Sequence, residues 1–585
     1  MPGGAATATN VFVLGRCAFA IVLGLLVTAP ASSAAVFPVG TTDDGEDAVP
    51  GDGACSTLVN PRCTLRAAIE ESNALAGPDQ VNLAPGTYSL GPLGELDVSS
   101  NIVVEGLGTA SNTVIRKQGG GSRVFEVGAG GALDLRDATV RDGVLAAPGA
   151  GISSEGTLVL RRAVVKANQA FGDTPGGGVF SGPGASLTIV DSVIGDPAGG
   201  AQANRAGAGG AGILAAGSNY AIRDSAIVGN RAASVASESF GGGGFFAGGS
   251  GVIVDSTVSG NSADGGGGIA ASDAGGSIRI ERSTLRGNAA VAGSAIFSAA
   301  PLLQIVNSTL SANAASLRGA VFIEGATTLT HTTLAGNSAP APQPAGIWTQ
   351  SSPGAEAALR ASILDNAGDR NCGGPGDVTS AGANVDSGTT CGLGGSADIA
   401  GAEPRLGPLA SNGGPTQTRA IAATSPARDA VTGGCPAPAT DQRGVARPQG
   451  PACDSGAFEL VPEAPQLELS GKGKQRAKKL TLDVSCGIEA CSVELAGKGK
   501  VPTRAAVAAK AKKLKLKPKG VDVAAGETET VRLKFKRNRK TVRKVRALLK
   551  QAGKKARKRS RVTVDATAAG VGGADTATHK IKLRR

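Results

Sequence analysis

Asp191, Asp224, Asp255 and Arg282 hold the same place in successive copies of a repeated line, each followed directly by a serine. Carboxylates stacked in this way could bind Ca²⁺, and an adjacent arginine could serve as the base of an elimination reaction on an acidic sugar polymer. The same column also holds Arg162, Asn307, His331 and Ala361, a mixture that no single reaction requires. It falls where the chain must bend, and Asp and Asn are favoured there because their short polar side chains tolerate a left-handed backbone. The repeats contain no local Asp-Asp motif of the kind a hydrolase would use as acid and base. With only 2 histidines in 585 residues, the chain has little from which to build His-based metal centres or triads. This reading therefore assigns no catalytic residue and no metal site. It keeps Asp191, Asp224, Asp255 and Arg282 as candidates for a catalytic alternative, with Ca²⁺ as its only conceivable cofactor.

A second column suggests binding. In the Gly-Gly-x-aliphatic units the aliphatic residue is expected to point inward, so the next residue points outward. Those outward residues are Phe180, Leu214, Phe246, Ala270, Phe297, Phe322 and Trp348. The whole chain has 13 Phe, 2 Tyr and 1 Trp, so five aromatics in one column is a concentration. An exposed stripe of Phe180, Phe246, Phe297, Phe322 and Trp348, spaced at about 5 Å, would stack on sugar rings or on a partner protein. The alternatives are that loops cover the stripe, or that the register is reversed and the rings fill the core.

Both columns depend on the element that carries them. The lines Ile222–Asn230, Ile253–Asn261, Ile280–Asn288, Ile305–Asn313 and Leu329–Asn337 are variants of one sentence, and their closing asparagines stand 31, 27, 25 and 24 residues apart. Repetition at this period means a solenoid or a propeller, and a propeller blade needs four strands and about 40–45 residues. Coils of about 25 residues with short strands, Gly corners and Asn at a left-handed bend predict an all-β chain. Its fold is a right-handed parallel β-helix over residues 81–400, with identical Asn side chains bonding from coil to coil. About ten coils would make a rod roughly 50 Å long.

The flanks differ in chemistry. Arg16 and the apolar run Cys17–Ala29 read as an export signal, residues 1–35, with cleavage after Ala34 or Ala35. Cys17 opens that run instead of following it, which argues against a lipid-anchored cysteine, and no further stretch is apolar enough to span a membrane. The other eight cysteines form close couples, Cys55/Cys63, Cys372/Cys391, Cys435/Cys453 and Cys486/Cys491. In an exported chain they are expected to be disulfides, with the pairing among the middle four left open. Leu65, Ala68, Ile69 and Ser72 share one helical face, so residues 36–80 are expected to cap the rod.

The net charge of +12 conceals a division. Residues 461–585 hold 34 Lys and Arg against 10 Asp and Glu, a balance of +24, and the preceding residues balance at −12. Alternating runs at Leu480–Cys486, Lys513–Lys517, Val531–Lys536, Arg561–Asp565 and His579–Leu583 predict strands with a cationic outer face. A helix is expected over Thr541–Gln551, and the whole of 462–585 reads as a basic immunoglobulin-like β-sandwich with Cys486–Cys491 as its staple. The run Lys554–Arg561 imitates a nucleic-acid patch, but Phe535 is the tail's only aromatic and base stacking is unsupported. The expected partner is an anionic envelope polymer or polysaccharide, with no specific nucleic acid and oligomeric state undetermined.

These repeats resemble the right-handed parallel β-helix repeats of pectate-lyase-like proteins and bacterial surface proteins. The Gly-Gly-x-Ile and Gly-Asn elements are similar to those of polymorphic outer-membrane adhesins. Cys63-Thr-Leu-Arg-Ala-Ala-Ile69 resembles the N-terminal CSLREA-type module, with Thr64 and Ala67 in place of its Ser and Glu. Residues 366–460 resemble a choice-of-anchor (Q-type) module, of which 401–461 would be the end. Its marks are Leu409–Thr416, Ser425–Asp429, Asp441–Gly444 and Cys453–Phe458. The resemblance implies export and surface display, and no reaction; an aspartate column with a neighbouring arginine is the arrangement pectate lyases use. The expectation is a secreted or cell-surface, non-enzymatic, adhesin-like binder, with a polysaccharide lyase or hydrolase as the alternative.

Overall fold

The computed structural model describes residues 34–585 apart from 60, 234–240, 273–275, 465, 488–489, 502–511, 552–557, 571 and 585. The expected export signal, except for its last two residues, lies outside the described residues. So does the first half of the basic run Lys554–Arg561, residues 554–557.

The rod is a right-handed parallel β-helix built from three sheets. Sheet I runs through 13 strands from Val36–Val39 to Asp377–Ser380, and sheet II through 13 strands from Gly86–Leu90 to Ile399–Ala400. Sheet III has 11 strands, from Leu96–Val98 to Cys372–Gly373. Each coil visits III, I and II in turn, as in Ile152–Ser154, Thr157–Arg161 and Val164–Lys166. Strands of two to six residues alternate in and out, so each inward position stacks on its counterpart in the next coil. Leu160, Ile189, Ile222, Ile253, Ile280, Ile305, Leu329 and Leu359 form one such column, all fully buried. Where a ring intrudes, its neighbour shrinks. A Cβ on Gly251 would stand 2.5 Å from the Tyr220 ring, which packs edge-on against Phe245.

Polar columns hold the corners. Asn168, Asn204, Asn230, Asn261, Asn288, Asn313, Asn337, Asn366 and Asn371 form a buried ladder, each Nδ2 donating to the next Oδ1 at 2.7–3.1 Å. The same oxygen accepts the backbone N–H of the preceding asparagine, as Asn261 Oδ1 does from Asn230. The expectation placed Asn itself in the left-handed bend. Instead the residue before it carries the positive φ, for example Gly229 at 65° and Gly260 at 64°. This leaves the asparagine extended, with its amide directed along the rod axis. A second ladder follows the other bend, where Ser225, Ser256, Ser283 and Ser308 hydroxyls accept N–H groups from the coil before.

The rod's first strand, Val36–Val39, pairs with Pro78–Leu83, so the segment expected to be only a cap also opens sheet I. Between these strands helix α1 (Leu65–Ala74) buries Leu65, Ala68 and Ile69 in the rod's core cluster. Thr64 caps it by accepting the Ala67 N–H, Arg66 pairs with Asp44 at 2.8 Å, and Glu71 accepts the Gly51 and Gly53 amides. α1 thereby covers apolar core at the start of the rod.

Beyond the last coil the chain turns back. Residues 412–458 run as a strap along sheet II and its bend. Gln442 bonds the Ser283 carbonyl and the hydroxyls of Thr284, Thr309 and Thr416. The strap is fastened by a buried ion pair, Arg447 with Glu459 at 2.8 Å, and by Arg443, which pairs with Asp441 and stacks over Phe458 at 3.6 Å. Four disulfides pair Cys55–Cys63, Cys372–Cys391, Cys435–Cys453 and Cys486–Cys491, which resolves the middle four.

The C-terminal region is a β-sandwich of a three-stranded and a six-stranded sheet around its own apolar core. Helix α2 (Asn538–Gln551) contributes Val542, Val545 and Leu549 to that core, and Cys486–Cys491 links consecutive strands of the two sheets.

Candidate functional site

The bend column takes the same conformation in every coil. Arg162, Asp191, Asp224, Asp255, Arg282, Asn307, His331 and Ala361 all have φ between 45° and 51°. The left-handed turn that carries the chain from sheet I to sheet II selects for residue types that tolerate it, and this accounts for the Asp and Asn in the column.

Two arginines clamp the column. Arg162 makes a forked pair with Asp137, at 2.8 and 2.6 Å. Arg282 makes a forked pair with Asp255, at 2.9 and 2.7 Å, and its third nitrogen donates to Glu281 at 2.7 Å. Bonds to Asp255 and the surrounding carboxylates hold the Arg282 guanidinium above its ordinary pKa. A guanidinium stabilised as a cation by two carboxylates cannot take a proton as a base. Asp191 and Asp224 remain exposed between the clamps. Partial loss of hydration, and then the charges of Asp255 and Asp191, raise the Asp224 carboxyl above its usual value. These residues, with Ser192, Ser225, Thr257 and Pro415, line a depression of about 280 Å³.

Pro415 marks the place where the strap begins to close the column. Thr416 donates to the Arg282 carbonyl, Asn307 to the Thr440 carbonyl, and Gly456 to the Ala361 carbonyl. His331, buried there beside the Arg447 cation, has its pKa pushed down to about 3. The motif residues Asp441–Gly444 and Cys453–Phe458 are therefore the strap's fastenings. Their signal in the sequence was a stretch of Ala, Gly and Pro without strand alternation, with Asp441, Arg443, Arg447 and Asp454 set into it.

A Ca²⁺ site usually takes about six to eight oxygens, and in the acidic column Asp191 and Asp224 are the carboxylates not paired with Arg282. Asp255 is committed to Arg282. Among the described residues only Glu95, Asp97 and Glu126 bring three carboxylates within 4.8 Å of one another, and these lie on the first coils of sheet III. There Glu95 accepts the Ser122 hydroxyl and Glu126 pairs with Arg123.

The aromatic column has the expected register. Val179, Phe245, Ile296, Val321 and Ile347 face inward, and Phe180, Phe246, Phe297, Phe322 and Trp348 face outward. The expected exposed stripe is corrected, however. Phe297 is 8% and Phe322 2% accessible, and Phe180, Phe246 and Trp348 are only half-exposed. The cover is made by the Gly-rich loops. Gly293, in the left-handed region, would place a Cβ 2.9 Å from the Phe297 Cα, and Gly149 one 2.9 Å from the Phe180 Cβ. Loop backbone lies directly on the strand only because these residues have no side chain. Phe297 stacks on Phe322 with centroids 4.6 Å apart, and Arg318 reaches over Phe322 and Trp348 at 5.7 and 5.3 Å.

Three stacked parallel sheets, ladders of identical residues at the corners and an apolar interior define the class as parallel β-helix. No protein-family model matches the chain, and no curated protein matches it. Among solved structures it is similar to the tailspike protein of Acinetobacter phage vB_ApiP_P1, at 8% identity and a TM-score of 0.30, covering 94% of this chain and 85% of that one. Among the described residues no helix is long and apolar enough to cross a membrane.

Proposed function

We propose that the protein is an exported, non-enzymatic surface binder whose β-helix is a rigid spacer. Its basic C-terminal domain holds it to an anionic envelope polymer or polysaccharide. The observation that carries this reading is the division of charge, a balance of +24 over residues 461–585 joined to a body of −12. The four disulfides fit an oxidising compartment. Attraction of this kind weakens as salt shortens the screening length from about 10 Å at 0.1 M to about 3 Å at 1 M. Full-length protein should remain on purified cell envelope at low salt, and a variant lacking 462–585 should wash off. Equal retention of the two overturns the reading.

The lyase or hydrolase alternative has one observation in its favour, the open depression at Asp191 and Asp224. Against it stands Arg282, fixed as a cation by Asp255 and Glu281. Cleavage of an acidic polysaccharide that is abolished by Asp224→Asn would establish the alternative.

A further inference from the structure

The cations of the C-terminal domain are ordered by the register of its six-stranded sheet. Lys500 lies opposite Lys513 on one side and Arg561 on the other. Arg561 lies opposite Lys582, and Lys582 opposite Lys474. Five cations on five neighbouring strands thus form one straight row, all exposed on the outer face. At about 4.8 Å per strand the row spans roughly 19 Å. Two residues along, Lys515, Lys498 and Lys580 form a second row with Thr563 between the last two. The first carboxylate on this face, Asp565, enters in the third row, where it accepts the Thr578 hydroxyl.

Like charges directly opposite one another on a sheet are destabilising. Lysine on edge strands is a common guard against edge-to-edge aggregation, which would account for Lys474 and Lys513. It does not account for Lys500, Arg561 and Lys582, which lie on the three central strands. The inner side of the same strands is apolar, with Val501, Leu514, Val562, Ile581 and Leu583 buried. The repulsion is therefore specific to the outer face, and an external polyanion would relieve it.

The geometry points to this face as the docking surface for a linear polysaccharide bearing carboxylates, its acidic sugars lying across the strands along the row. This rests on the anchoring reading above and gives it a surface and a ligand chemistry. Four of the five cations in the row are lysines, point charges on flexible stems. Arginine's fork suits carboxylate and phosphate alike, so the row recognises its anion by the spacing of point charges. Comparison of polygalacturonate with polyphosphate and DNA decides the anion. The domain's Phe535 is buried, so the face offers no ring for base stacking. The face is the flat side of a sheet, suited to an extended chain.

The test uses the full chain with polygalacturonate, polyphosphate and duplex DNA as probes at 0.1 M salt. A row variant, Lys500→Gln with Arg561→Gln and Lys582→Gln, is compared with a variant of equal charge on α2, Arg539→Gln with Arg543→Gln and Lys544→Gln. The row variant should weaken polygalacturonate binding at least about tenfold, and the α2 variant less than about threefold. Lys500→Arg with Lys582→Arg, which keeps the charges, should bind within about twofold of the parent. If the row variant fails to fold, the edge pair Lys474→Gln with Lys513→Gln takes its place. Equal weakening by the row and α2 variants, or tighter binding of polyphosphate or DNA than of polygalacturonate, overturns the proposal. If the row variant loses polygalacturonate yet stays on cell envelope, the docking face stands and the anchoring reading falls. If it keeps polygalacturonate while removal of 462–585 releases the protein, anchoring stands and this face does not.

Discussion

The β-helix and the C-terminal sandwich both stack like residues across neighbouring strands, and they differ in what they stack. The rod places neutral hydrogen-bonding groups in register, asparagine on asparagine and serine on serine, so that each copy satisfies the next. Many of its charges are paired with the opposite sign from coil to coil, as in Arg162 with Asp137, Arg282 with Asp255 and Lys166 with Asp196. The neighbouring carboxylates Asp191 and Asp224 are an exception. The sandwich places lysine opposite lysine and arginine opposite lysine. A column that satisfies itself is a structural device, whereas one that repels itself calls for a counter-ion from outside. By this criterion the Asn and Ser columns of the rod are scaffold, and the sandwich face carries the longest self-repelling row, the surface proposed above for docking.

The comparison can be broken first at the strap. Arg447 and Glu459 are 0% and 1% accessible at the side chain. Arg447→Ala would strand a buried carboxylate, at a cost of about 3–5 kcal/mol. The expected result is release of residues 412–458, seen as new protease sites and fast hydrogen exchange there, with the coils ahead of Arg282 still protected. Loss of protection along the whole rod would mean that the strap and the coils form one cooperative unit.

The Asn ladder provides the next test. Asn288→Ala leaves the Asn261 amide and side chain without their acceptor and the Val258 carbonyl without its donor. Unsatisfied buried groups of this kind should cost about 3 kcal/mol, measurable by denaturant unfolding. A cost near zero would show that the ladder is incidental to the rod.

A third test is the response to pH. The folded state holds His331 neutral, its pKa lowered from 6.5 to about 3 by burial and the Arg447 cation. Above pH 6.5 neither state binds the proton. Below it the unfolded state binds a proton that the folded state refuses, so stability falls as pH drops toward 3. Asp454 acts in the opposite sense. Burial, and then the Glu459 charge, raise it from 3.8 to about 7, so its contribution is greatest below pH 3.8 and is lost as pH rises through 7. His331→Asn removes the first slope alone. Relative to the parent it should gain a few kcal/mol at pH 4.5 compared with pH 7.5, visible as a Tm difference that changes with pH. Parallel Tm curves would remove His331 as a titrating group.

The smallest effect sharpens the contrast from the other side. Lys500→Gln removes a charge from the centre of the cationic row and should raise the sandwich's unfolding midpoint by about one or two °C in the absence of polyanion. A fall in the midpoint would mean that the row stabilises the fold and is not held against it.

Much of the architecture could be read from short stretches of residues. The spacing of Asn230, Asn261, Asn288 and Asn313 announced the coil. The outer couples Cys55/Cys63 and Cys486/Cys491 announced their own pairing, whereas the middle four needed the structure. Leu65, Ala68 and Ile69 revealed the buried face of α1. The outward register of the aromatic column was also correct, because alternation along a strand decides which side a residue faces. Its cover was not legible. Whether an outward ring meets solvent depends on where a loop from another stretch of chain lies, here the backbone of Gly149 and Gly293.

The sequence by itself determined the coil period, the inward and outward faces, the bend column and the division of charge, because each is a property of neighbours along the chain or of a sum over it. Tertiary structure alone decided that Arg282 is held by Asp255 and Glu281, that residues 412–458 close the column beyond it, and that Lys513, Lys500, Arg561, Lys582 and Lys474 form one row. Those five cations are scattered from 474 to 582 in sequence. Only the order and register of the strands, set by packing of their apolar inner faces, bring them into line.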